Sequence, residues 1–233
     1  MFNLVSACSF AVMFLLSHFL EKTKRNELIL RILSIVVFVY KLVYYVMQNV
    51  RGYLAIPVEI SSVTYFLMCV ILVFKIKSLY GVGAFYGIMA GLGYFTFYSL
   101  FGFTVANSFT LKEVLISCFS HGFLFVAGIH LFRTNALNKT DRLKIWVTIF
   151  AMLSWALVFY DMEMRGITFI YYIIKPEFLF LFRNMSLNAI LIAVYYALLV
   201  TAFRFAVRLF IKLNNKYHGC YEAVEARNTR KAM

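Results

Sequence analysis

The chain has 233 residues, of which 63% are hydrophobic and 14% are charged, whereas soluble domains average about 45–50% apolar and about 25% charged residues. Such a composition leaves too little polar surface to cover a soluble core, so it excludes an ordinary soluble domain. The net charge of +13 does not indicate nucleic-acid binding, because the basic residues form short clusters between apolar runs, as in the cytoplasmic loops of membrane proteins.

Seven apolar runs follow one another along the chain, and most approach or exceed the roughly 20 residues that cross a bilayer as a helix. They cover residues 2–20, 28–47, 55–74, 79–103, 111–132, 145–160 and 187–207. The first run lacks a basic leader and a small-residue cleavage site, which favours a retained helix over a signal peptide. The expected fold is an all-α, polytopic transmembrane bundle of about seven helices.

An eighth apolar stretch, residues 167–182, is interrupted by Lys175, Pro176 and Glu177. Proline within a helix removes a hydrogen bond and kinks the chain. The pattern favours a re-entrant or interfacial segment, and a broken eighth crossing is the alternative.

Basic residues are distributed unequally between the two predicted sides of the membrane. Most lie on the side of residues 22–31, 75–77, 133–144 and 204–231, which the positive-inside rule places in the cytoplasm. We therefore expect a multi-pass protein of the cell membrane, with its N-terminus outside. A transmembrane domain at 1–213 would precede a basic, flexible cytoplasmic tail at 214–233, and membrane lipids are the expected partners.

Small residues on the fourth predicted helix form a ridge. Gly83, Gly87 and Gly91 recur every four residues, a spacing that lets a neighbouring helix approach closely. Tight helix packing is the favoured interpretation, and a pocket for a lipid chain is the alternative.

The four cysteines have no metal-ligand spacing, and the sequence predicts no cofactor.

Ionisable side chains within apolar runs are costly in a membrane and mark candidate functional positions. Because the second helix would run outward and the third and fifth inward, four polar positions converge on the outer half of the bundle. Lys41 would lie about 9 Å below the outer end of its helix, and His121 about 15 Å. Glu59 and Ser61 would lie about 6–9 Å deep and about 200° apart around a regular helix.

On the fifth predicted helix, Glu113, Ser117 and His121 share one face at four-residue spacing. His130 lies about half a turn from that face near the cytoplasmic end, which favours an interfacial histidine. Glu59 admits two interpretations, stabilisation by the helix dipole or a role in a site. Lys41 likewise either snorkels to outer headgroups or pairs with Glu59.

Short motifs also carry a family resemblance. The segments are residues 56–62 (IPVEISS), the Ser78-Leu79-Tyr80 turn, the Gly-rich fourth helix, Ser120-His121-Gly122, and residues 171–176 (YYIIKP). Together they resemble the YwaF-type family of integral membrane proteins over roughly residues 50 to 200.

Eukaryotic relatives of that family are phospholipid acyltransferases that use a membrane cysteine and histidine. The resemblance places the histidine at His121 and the cysteine at Ser61, with Glu59 where the family has a second histidine; the last two are departures. A serine nucleophile needs an adjacent base, which His121 would supply. The resemblance therefore implies lipid acyl transfer or hydrolysis.

Three functions remain open on the sequence: this acyl chemistry, binding or transport of a small solute, and a structural or accessory role. The predicted site comprises His121 and Ser61 as catalytic residues, with Lys41, Glu59, Glu113 and Ser117 as substrate-binding residues.

Overall fold

The computed structural model describes residues 2–52, 55–105, 110–159, 173 and 189–232. Over these residues the chain is all-α, as the sequence predicted. The helices are α1 (Phe2–Glu21), α2 (Asn26–Val50), α3 (Ile60–Val73), α4 (Tyr80–Val105), α5 (Leu111–Thr134), α6 (Lys139–Val158) and α7 (Ala189–Ala232), with a 3₁₀ turn at Lys77–Leu79. The predicted re-entrant segment at 167–182 lies outside the described residues, apart from residue 173.

Four of these helices are long and apolar enough to cross a membrane: α1, α2, α5 and α7 over residues 189–219. The apolar helix α3 is shorter, with 14 residues. Large apolar side chains stay exposed on the outer faces of α1 and α7, including Phe19 at 62% and Phe205 at 66% exposure. Exposing such apolar surfaces to water is unfavourable in free energy, whereas exposing them to lipid is not. These helices therefore indicate a membrane protein.

The backbones of α4 and α5 come into direct contact at glycines. A Cβ atom on Gly87 would lie 2.7 Å from the Leu124 carbonyl oxygen, and one on Gly91 would lie 2.9 Å from the His121 carbonyl oxygen. From the α5 side, a Cβ atom on Gly128 would lie 2.7 Å from the Ile88 nitrogen. No side chain fits between the helices at these positions, so tight packing accounts for the glycine ridge.

Helix α7 is joined to the connection between α5 and α6 by the side chain of one buried asparagine. Asn214 donates to the carbonyls of Phe132 at 2.7 Å and Asn135 at 3.1 Å, and accepts from the Leu137 nitrogen at 2.8 Å. Helix α7 continues through this point to Ala232. Position 214, where the sequence analysis begins the cytoplasmic tail, therefore lies within α7, and the predicted domain boundary stays a prediction.

We expect Gly87→Ala to lower the free energy of unfolding by about 1–3 kcal/mol, because the added methyl group overpacks a backbone contact. The matched control is Gly93→Ala on the same helix, where a Cβ atom would meet nothing within 4 Å. That control should be neutral or stabilising by about 0.5–1 kcal/mol, since alanine favours helix. Denaturant titration followed by circular dichroism measures both, and equal shifts would contradict the contact.

Candidate functional site

Four helices each contribute one side chain to a cluster around His121. The His121 ring on α5 stacks on the Tyr94 ring of α4, with centroids 3.9 Å apart and planes 11° apart. Its edge packs against the Tyr65 ring of α3 at 5.8 Å. The Lys41 ammonium group of α2 lies 4.5 Å from the centroid of Tyr65. These four residues are called the His121 cluster below.

Helix direction explains why residues so distant in sequence meet. Lys41 precedes the end of α2 by nine residues, whereas Tyr65 and His121 follow the starts of α3 and α5 by five and ten. Because α2 runs opposite to α3 and α5, these positions lie about 14, 8 and 15 Å from one end of the bundle. The cluster thus occupies the half of the bundle that the sequence analysis singled out.

The His121 ring is oriented by its own helix. Its Nδ1 lies 3.0 Å from the Ser117 carbonyl oxygen and 3.5 Å from Ser117 Oγ. A carbonyl oxygen only accepts, so Nδ1 carries the hydrogen and donates it. The other ring nitrogen, Nε2, then has a lone pair when the ring is neutral, and it has no hydrogen-bond partner among the described residues. The site therefore presents an acceptor at Nε2.

The other polar groups of the cluster act mainly as donors. The Tyr65 side chain is 1% exposed, and its hydroxyl has no hydrogen-bond partner within bonding distance in the described part of the chain, although the buried Ser120 side chain is adjacent. Lys41 is half-buried and forms no ion pair with any described carboxylate. A buried polar atom without a partner calls for an explanation, and a bound water or ligand is the usual one.

Ser61 lies one turn from Tyr65 on the same face of α3, so it points to the same interior as His121. No hydrogen bond joins Ser61 to His121 among the described contacts, and the aromatic ring of Tyr65 is the part of α3 that meets the histidine. The assignment of Ser61 as nucleophile and His121 as its base stays a prediction.

Glu59 is the residue immediately before α3 rather than part of its helical turns. It has extended backbone angles, and its carbonyl accepts from the Val63 nitrogen at 3.0 Å. The separation of about 200° expected between Glu59 and Ser61 assumed a regular helix, so it does not apply here. The Glu59 carboxylate interacts with Tyr45 of α2, and the helix dipole favours a negative charge at this end.

Glu113, predicted to bind substrate, closes a capping box at the start of α5. Its carboxylate accepts from the nitrogen of Thr110 at 2.7 Å and from the Thr110 hydroxyl at 2.8 Å, while its own nitrogen donates back at 3.3 Å. The side chain is exposed. Capping explains the position of Glu113 without any ligand, whereas Ser117 does contact His121.

Sequence reasoning missed Tyr65, Tyr94 and Ser120. The signals were present, since Tyr65 follows Ser61 by four residues and Ser120 precedes the predicted histidine directly. With 16 tyrosines in the chain, the four-residue spacing alone does not separate Tyr65 from a membrane-interface tyrosine. Only the packing of three helices identifies them.

Comparison of the chain with protein-family models, with curated proteins and with solved structures finds no match. The YwaF-type resemblance therefore rests on the short motifs quoted above.

We expect the neutral His121 ring to carry its hydrogen on Nδ1, because Ser117 offers only an acceptor there. Nitrogen NMR of histidine-labelled protein measures this, and the His121→Phe variant assigns the signal among the four histidines. A protonated Nε2 together with a bare Nδ1 would contradict the hydrogen bond to Ser117.

Proposed function

We propose that the chain is a multi-pass membrane protein that binds the carboxylate group of a small amphiphile at the His121 cluster. The observation that carries this proposal is the position of Lys41: its ammonium group lies over an aromatic ring inside the bundle, with no described carboxylate to neutralise it. Ionisable residues at membrane depth usually pair with each other or mark a ligand pathway.

The available atoms favour an anion. Lys41 offers three N–H donors, and the buried Tyr65 hydroxyl, which lacks a described partner, can donate as well. A cation–π contact such as that between Lys41 and Tyr65 contributes about 0.5–2 kcal/mol. That contact orients the ammonium group without cancelling its charge. A carboxylate would supply both the opposite charge and a stronger acceptor for Tyr65 than the adjacent Ser120 hydroxyl.

The surroundings of Lys41 favour a ligand with an apolar part. On α2, Tyr44 lies one turn from Lys41 on the same face, and its side chain is 46% exposed. An anion that approaches Lys41 along this face crosses apolar surface, which a short hydrocarbon chain would bury favourably. A simple inorganic anion gains nothing there.

The proposed topology has about seven crossings with the N-terminus outside. It rests on the basic residues, which concentrate near the ends of α1, α5 and α7 opposite to the His121 cluster, as positive-inside orientation requires. In this orientation the cluster lies in the outer half of the membrane and is reached from the outer leaflet or from outside.

Lipid acyl transfer is the second candidate, supported by the shared face of Ser61 and Tyr65 and by the lone pair at His121 Nε2. In that mechanism the Ser61 oxygen attacks an ester carbonyl while Nε2 takes the hydroxyl proton, and Nε2 then gives this proton to the lysolipid oxygen that leaves as the ester bond breaks and the acyl-serine forms. The reaction needs an approach to about 3 Å, and no hydrogen bond joins Ser61 to His121 among the described residues. Binding is therefore the function that the geometry supports better.

We expect octanoate, but not uncharged octanol, to raise the unfolding temperature of the purified chain in nanodiscs. Lys41→Met should weaken octanoate binding about tenfold or more, since a hydrogen bond to a charged group contributes about 1.5–3 kcal/mol. Lys112→Met is the matched control, because Lys112 is an exposed lysine near the same end of the bundle. Equal responses of parent and Lys41→Met, or equal stabilisation by octanol, would exclude the proposed carboxylate site.

Ser61→Ala separates binding from acyl transfer. If the site only binds, this variant keeps the octanoate response and no turnover of radiolabelled phospholipid acyl chains is seen in either protein. Acyl turnover that is present in the parent and lost in both Ser61→Ala and His121→Gln would instead establish the second candidate.

A further inference from the structure

A polar cavity lies at the opposite end of the bundle from the His121 cluster, between the ends of α1 and α5, the start of α2 and residues 217–218 of α7. Its volume is about 390 Å³. Polar and aromatic side chains from these helices line it, among them Glu21, Asn26, His130, Arg133, Tyr217 and His218. This cavity is called the basic-end pocket below. It takes no part in the proposed carboxylate binding.

Arg133 lies at the base of the pocket, and only its Nη1 nitrogen is hydrogen-bonded to described residues. Its Nη1 donates to Glu21 at 2.6 Å and to the Ser17 carbonyl at 3.5 Å. The guanidinium group carries five N–H donors in a rigid fork, and its remaining nitrogens have no acceptor among the described residues. Glu21 in turn pairs with Arg133 and accepts a hydrogen bond from the Tyr217 hydroxyl at 3.5 Å.

Two histidines also line the pocket, and of these only His130 has an N–H group that is not already used among the described residues. His218 Nε2 lies 3.2 Å from the Phe132 carbonyl, so Nε2 donates and fixes the ring. The His130 ring makes no hydrogen bond within the described part of the chain. The side-chain amide nitrogen of Asn26 has no described acceptor either, so the pocket holds more donors than acceptors.

The rim adds positive charge. The connection between α1 and α2 carries Lys22, Lys24 and Arg25, and α7 carries Lys216 next to the pocket residue Tyr217. All four are exposed, and none forms an ion pair among the described residues. An anion entering the pocket therefore meets a positive field, with Arg133 at its base.

We propose that the basic-end pocket binds a phosphate group. A planar guanidinium with free N–H groups matches phosphate oxygens in a bidentate arrangement, and His130 of the same helix as Arg133 and Asn26 of α2 supply further donors. Under the proposed topology the pocket opens at the inner face of the membrane. The phosphate belongs either to an anionic lipid of the inner leaflet or to a soluble phosphorylated compound.

The test measures thermal unfolding of the full chain in nanodiscs and has two arms. In the first arm, phosphatidylcholine nanodiscs are titrated with pyrophosphate against chloride at matched ionic strength, because exposed charges respond to salt alone. In the second arm, the nanodiscs contain phosphatidic acid in increasing proportion. Stabilisation in the first arm identifies a soluble phosphate ligand, and stabilisation in the second alone identifies a lipid headgroup.

Arg133→Gln and His130→Gln should each raise the half-saturating concentration about tenfold or more, since each removes a charge-assisted or buried hydrogen bond to the ligand. His130→Gln keeps the proposal testable if loss of the Glu21 contact unfolds Arg133→Gln, because the His130 ring makes no described hydrogen bond. The control is Lys139→Gln, an exposed lysine at the start of α6, which should leave the response unchanged.

Three results would overturn the proposal: no stabilisation in either arm, an unchanged response in His130→Gln, or an equal loss in Lys139→Gln. Lys41→Met should keep the phosphate response in full. Failure of the carboxylate site and failure of the basic-end pocket are therefore separate outcomes.

Discussion

The backbone contact between α4 and α5 is the constraint on which the candidate site depends. Gly91 places the α4 backbone against the His121 carbonyl, and Tyr94 follows Gly91 by one turn of helix. A side chain at position 91 would separate the helices, and the 3.9 Å stacking of Tyr94 on His121 could not form. Helix packing in lipid lacks a hydrophobic driving force between helices, so the same glycines provide stability and set the geometry around the histidine.

Within this frame, polar side chains fall into two groups. The first group is satisfied by the protein: Asn214 makes three hydrogen bonds to the α5–α6 connection, and Glu113 completes a helix cap. The second group has N–H or O–H donors without a described acceptor, and the Tyr65 hydroxyl and the Lys41 ammonium group belong to it. Burial of a polar group without a partner costs free energy, so the second group is the better indicator of ligand binding.

The sequence was sufficient for the fold class and for the region of the site. Hydropathy predicted an all-α membrane chain, and helix direction alone brought Lys41 and His121 to the same half of the bundle, which the structure reproduces. Glycine spacing predicted close packing, and the α4–α5 contact explains it. These features depend only on periodicity, length and direction, which are properties of single helices.

Contacts between helices were beyond sequence reasoning. Whether Lys41 meets a carboxylate or an aromatic ring depends on how α2 is rotated against α3, and the result is a cation–π contact with Tyr65. Helix α3 starts at Ile60, so Glu59 lies before the helix. The angle of about 200° expected between Glu59 and Ser61 around a regular helix therefore does not apply. Glu113 differs, because its cap partner Thr110 is local and lies just before the apolar run in which the glutamate was found; its role in substrate binding stays a prediction.

Helix α5 connects the two proposed sites and limits how strongly they interact. His121 and Arg133 are twelve residues apart on this helix, or about 18 Å. Two unit negative charges at that distance repel by about 1 kcal/mol with an effective dielectric constant of about 20, which corresponds to a roughly fivefold change in affinity. Because α5 is buried by its neighbours along much of its length, little movement is available to amplify this effect. A bound carboxylate and a bound phosphate would therefore oppose each other only weakly, and both sites could be occupied at once.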